Sequence, residues 1–81
     1  MPTPEEIAEQ LSVEERIFLF CVASGTDWTR VGLTGATSRT LVIKDLLGHE
    51  RKSARLVLTL RGRAVLSVLL SRAGIKLAAL H

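Results

Sequence analysis

An 81-residue chain with a net charge of +3 and a single cysteine has room for one small domain, and Cys21 cannot form an internal disulfide. Of its residues 47% are apolar and nearly all of those are aliphatic, which suits a compact helical core and leaves more apolar surface than so small a domain hides. The longest apolar run, 17–23, is far too short to cross a bilayer, and the acidic start Met1-Pro2-Thr3-Pro4-Glu5-Glu6 carries no secretory pattern, so the expectation is a cytoplasmic protein without membrane contact.

Thr3-Pro4-Glu5-Glu6 predicts a helix start. Thr3 caps, Pro4 fits the first helical position, Glu6 completes a capping box, and the helix ends near Leu11. Ser12-Val13-Glu14-Glu15 repeats the signature, and the helix it opens runs to Ser24 and stops at Gly25. Residues 17–23 leave this second helix almost no polar side, as expected of a central helix or one in an interface. Cys21 within it reads as a small buried hydrophobe, because no basic neighbour in sequence activates the thiol.

In the punctuated stretch that follows, Asp27 or Thr26 caps a helix of one or two turns, and Trp28 anchors that element to the core. Gly32 and Gly35 bracket a turn that lacks the Lys-Ser/Thr of a phosphate-binding loop. Thr34 or Thr37 then caps a helix over 36–47, stopped by Gly48. Along it Ala36, Thr40, Ile43 and Leu47 share one apolar side, while Thr37, Ser38, Leu41, Lys44 and Asp45 face outward, Leu41 being the misfit. Arg39 falls near the apolar edge. The run Thr40-Leu41-Val42-Ile43 leaves a strand as the alternative.

Residues 49–55 form a charged hairpin tip with no well-formed strand ahead of it, and Leu56-Val57-Leu58 is the returning strand. Thr59 caps a last helix over 60–73, in which Arg63, Ser67 and Ser71 make one polar stripe and Gly62 permits close packing. The apolar tail 75–81 folds back or packs on a second copy. Charge is unevenly spread: residues 1–27 carry six carboxylates against Arg16, and the rest of the chain is strongly basic. Such a split marks either a face that meets a polyanion or two halves that attract within the fold.

Leu58-Thr59-Leu60-Arg61-Gly62-Arg63-Ala64-Val65-Leu66 resembles the strand-to-helix junction of winged-helix regulators of the MarR and PadR kind. There a wing strand ends in Leu-Thr, two residues intervene, and Gly-Arg or Gly-Lys opens the last helix. Leu46-Leu47-Gly48 ahead of a charged loop is also similar to those proteins. The resemblance covers mainly residues 34–70. It implies a mainly α fold with a small β-hairpin, a winged helix-turn-helix forming a single domain over 1–81, in a small DNA-binding transcriptional regulator.

For the site, the resemblance implies that the helix 36–47 enters a major groove of double-stranded DNA. Thr34 and Thr37 would offer donors to a phosphate, Ser38 and Lys44 would touch bases or phosphates, and Arg39 would lie at the edge. Arg51, Lys52 and Arg55 on the wing would meet phosphates or the minor groove, and Arg30 and Arg61 would add backbone contacts. The alternative is a protein-interaction or dimerisation module on the same scaffold, pairing with a second copy through the last helix and tail. No enzyme, metal or cofactor is expected: His49 and His81 stand at no ligand spacing with Cys21 or a carboxylate, and no nucleophile or paired-carboxylate motif is present.

Overall fold

The computed structural model describes residues 2–74, so the tail 75–81 and its expected packing lie outside the described residues. Helix α1 spans Pro4–Gln10 and α2 Val13–Ser24; a single 3-10 turn, Trp28–Val31, precedes α3, Gly35–Ile43. Strands β1, Leu47–His49, and β2, Leu56–Leu58, pair antiparallel with Leu47 opposite Leu58 and His49 opposite Leu56, and α4 closes the fold over Leu60–Arg72. The architecture is therefore mainly helical with a small two-stranded sheet.

Local chemistry sets the boundaries. The Thr3 hydroxyl accepts the Glu6 N–H at 3.2 Å. Ser12 and Glu15 form a complete reciprocal capping box, with bonds of 3.2 and 3.0 Å, which satisfies two N–H groups that the first turn of α2 would leave open. Gly25 ends α2 in the left-handed conformation at φ 74°, where a side chain would be strained. Asp27 opens the 3-10 turn by accepting the Thr29 N–H at 3.0 Å and its hydroxyl at 2.6 Å.

The core is formed by Phe18, Leu19, Leu41, Leu46, Leu47, Val65 and Leu66, with Ile7 and Ala8 of α1 and its C-cap Leu11 closing one side. Each fully buried side chain of this size contributes roughly 1.5–3 kcal/mol relative to exposure, so these apolar side chains dominate the stability. Trp28 is half-buried, its ring centroid 4.9 Å from that of Phe18 in a tilted pair. That contact ties the 3-10 turn to α2.

The segment between α3 and the hairpin departs from the sequence expectation in two ways. First, α3 stops at Ile43, not Leu47. Lys44 is its C-cap, Asp45 turns the chain in the left-handed region at φ 62°, and Leu46 and Leu47 drop into the core. The stretch 40–43 is thus helix, and the hairpin gains a true first strand that includes His49.

Second, α3 is rotated by half a turn from the expected phase. Leu41 is fully buried with Thr37, Ser38 and Val42 half-buried, whereas Ala36, Arg39, Thr40 and Ile43 are exposed. Once Leu47 belongs to a strand, it no longer anchors an apolar side containing Ala36, Thr40 and Ile43. Leu41 then sets the inward direction.

A single seam locks this turn to α4. The Thr59 N–H donates to the Leu46 carbonyl at 3.2 Å, and the Thr59 hydroxyl donates to the Asp45 carbonyl at 2.6 Å while accepting the Gly62 N–H at 2.9 Å. Gly62 is buried against Leu46 so closely that a Cβ there would overlap the Leu46 carbonyl. The close approach expected of Gly62 is thus to the backbone just before β1.

Candidate nucleic-acid interface

The loop between β1 and β2 is held by its own backbone. The Glu50 N–H donates to the Arg55 carbonyl at 2.8 Å and the Ala54 N–H to the Glu50 carbonyl at 2.8 Å, with Ala54 in the left-handed region at φ 56°. This closure leaves the side chains of Arg51, Lys52 and Arg55 exposed. None is needed to shape the loop.

Two neighbours fix where that loop sits. Arg55 and Leu56 border the same cleft as Val22, Gly25 and Trp28, at the C-terminal end of α2. The Leu33 N–H donates to the Trp28 carbonyl at 3.3 Å, which brings the chain to Thr34 and the start of α3 at that same end. The far end of α3 lies beside the start of α2, because the Lys44 ammonium contacts the Glu15 carboxylate at 2.7 Å. Helix α3 therefore runs back along α2, and its first turn shares an end of the molecule with the basic loop.

The cations divide by whether they are paired. Arg30 meets Asp27 at 4.0 Å, Lys44 meets Glu15 and Arg72 meets Glu9 at 3.5 Å. Among the described residues no ion pair engages Arg39, Arg51, Lys52, Arg55, Arg61 or Arg63. All three pairs that form join a carboxylate of residues 1–27 to a cation of the remainder, so part of the charge split is used within the fold.

The expected site residues fall into groups. Thr34 is the N-cap of α3, yet its hydroxyl makes no capping bond. Thr37 and Ser38 are half-buried, and the Ser38 hydroxyl donates to the Gly35 carbonyl at 2.7 Å. Arg39 is fully outward. Arg61 is half-buried and borders a second cleft with Ile7, Leu11, Ile43 and Lys44, on the α1 side.

Sequence reasoning missed Ala36, Thr40 and Ile43 as the outward partners of Arg39. The signal was present in Arg39 itself, a cation within that i, i+3, i+4, i+7 stripe and better suited to solvent than to a core.

Burial raises the Glu15 carboxyl, but the Lys44 ammonium and the Ser12 N–H outweigh it and hold the group below its ordinary value of 4.5. The two hydrogen bonds from Thr29 lower the exposed Asp27 carboxyl. Burial, with a contribution from Asp27, pushes the Cys21 thiol up, which leaves it a poor nucleophile near neutral pH.

Among the described residues no three His, Cys, Asp or Glu side chains converge on a metal-sized site, and no helix is long and apolar enough to cross a membrane. The chain matches no known protein family, curated protein or solved structure. What remains is a group of exposed cations with no ion pair among the described residues: Arg51, Lys52 and Arg55 on the loop, which also carries Glu50, and Arg39 midway along α3.

Proposed function

We propose that this protein is a winged helix-turn-helix domain that binds double-stranded DNA as a transcriptional regulator. In this reading α3 lies in the major groove and the loop 50–55 is the wing. The observation that carries it is the set of unpaired cations, Arg39, Arg51, Lys52 and Arg55, on α3 and on a loop that shares an end of the fold with its first turn. Exposed cations without carboxylate partners are available to phosphates, whose neutralisation releases condensed counterions.

The wing cations supply backbone contacts. Thr34 and the first N–H groups of α3 add donors to a phosphate at the groove edge. Lys44 serves differently: bound to Glu15, it holds the last turn of α3 against α2. Arg30 stays with Asp27.

The test is fluorescence anisotropy on a labelled duplex across a salt series. Affinity is expected to fall steeply with salt. Changing Arg51, Lys52 and Arg55 together to Ala should reduce the log–log slope by about three while leaving the circular dichroism spectrum unchanged. An unchanged slope removes the wing from the interface.

One observation favours a second reading, an interaction surface for a protein partner or a second copy. Val13, Ile17 and Phe20, at i, i+4 and i+7 on α2, are 64, 42 and 38% exposed, an apolar stripe on one face of the helix. The body of α4 is a weaker candidate than the sequence suggested, since Leu69 packs against the core and only Leu60 is widely exposed. Sedimentation of an Ile17→Glu variant tests this reading: loss of self-association with DNA affinity retained separates the two surfaces.

A further inference from the structure

The outward face of α3 has an unusual chemistry for a helix in a major groove. Its exposed side chains beyond Gly35 are Ala36, Arg39, Thr40 and Ile43. The hydroxyls of Ser38 and Thr40 donate to the carbonyls of Gly35 and Ala36, at 2.7 and 3.1 Å, so both protons are committed inside the helix. No Asn, Gln, Asp or Glu occurs anywhere in α3, which removes the usual partners of the adenine N6/N7 edge and of the cytosine amino group. What remains outward is one guanidinium and three sets of methyl groups, with Ile43 left 84% exposed.

Resting on the DNA-binding reading above, we infer that α3 selects a guanine flanked by thymines, with Arg39 reading the guanine and Ala36, Thr40 and Ile43 reading thymine C5-methyl groups. The geometry fits. From Ala36 to Ile43 the stripe rises about 10 Å along the helix axis, close to the length of three base-pair steps. Arg39 lies between Ala36 and Ile43 and beside Thr40, so the guanine falls between the methyl contacts. A guanidinium bonds guanine O6 and N7 together, while apolar groups contact the thymine methyl, the one apolar feature of the major-groove edge. An exposed Ile on the same stripe as the only outward cation of α3 finds cover in this way.

The experiment selects binding sites from a random duplex library with the full chain, then measures affinity for the selected duplex with thymines replaced one at a time by deoxyuridine. Each contacted thymine should show roughly a fourfold loss, the value of one buried methyl. Arg39→Ala should erase the guanine preference, about tenfold or more.

Thr40→Ser keeps the hydroxyl and removes only the methyl, so its loss and that of the matching deoxyuridine should not add. Ile43→Ala provides a second such pair at a widely exposed position. Enrichment of no sequence, or a selected site indifferent to every deoxyuridine, overturns the inference while leaving DNA binding standing. Failure to bind any duplex even at low salt overturns both.

Discussion

From its start to its middle, α3 has a Thr34 hydroxyl that makes no capping bond and an Arg39 with no ion pair among the described residues, and the neighbouring loop adds three more cations of that kind. Where it ends, Lys44 is held by Glu15, Thr59 collects the Asp45 and Leu46 backbone, and Gly62 presses on Leu46. One helix thus joins a region whose polar groups are spent on the fold to one whose polar groups are not. Substitutions at the closed end should therefore appear as stability, and substitutions at the open end as binding.

The largest effect is expected at the closed end. Gly62→Ala should lower unfolding free energy by about 3 kcal/mol or more, since the added methyl meets backbone that cannot step aside; urea denaturation measures it. Next is the phase of α3. Leu41→Ala should cost about 3 kcal/mol, while Ile43→Ala two residues on should stay within about 0.5 kcal/mol. Equal losses at the two positions would break the comparison, because they would mean that α3 buries both sides.

A smaller effect is expected at the Glu15–Lys44 contact, where Glu15→Gln should cost about 1 kcal/mol near neutral pH. Its pH dependence carries a sign. Because the folded carboxyl lies below its ordinary value of 4.5, its stabilisation is complete above that pH and is lost as the pH falls through the lowered folded value. The gap in urea midpoint between wild type and Glu15→Gln should therefore close on acidification and stay constant from pH 6 to 8.

The smallest effect lies in the loop between the two strands. Ala54 sits at φ 56°, and Ala54→Gly should raise stability by about 0.5 kcal/mol by relieving the left-handed strain, with DNA affinity unchanged.

Much of the element order was legible in the sequence because it is written in short-range chemistry. The caps at Thr3, Ser12 and Thr59 and the stop at Gly25 act within a few residues and appear where the sequence put them; of Asp27 and Thr26 it is Asp27 that caps, and at Thr3 only the hydroxyl half of the expected capping box forms. The phase and end of α3 were not legible. Four apolar or β-branched residues in a row at 40–43 satisfy either face, and the helix ends at Lys44 and Asp45 without a glycine or proline to announce it. The helix stop expected at Gly48 comes instead at Lys44 and Asp45, with Asp45 in the left-handed region.

The candidate site divides in the same way. Which residues were cationic was plain from the sequence. Which of them were already spoken for was not, because the Lys44 contact joins residues 29 positions apart and exists only once α2 and α3 have packed.

The hairpin enters and leaves the body at one point, where the Thr59 N–H meets the Leu46 carbonyl at 3.2 Å. Its strands belong to the body, since Leu47 is buried in the core and Leu56 and Leu58 pack against it, and only the loop 50–55 stands clear as a side branch. That loop is closed by its own backbone, so its length and its charges can be exchanged without redrawing the trunk, provided the two strands are kept.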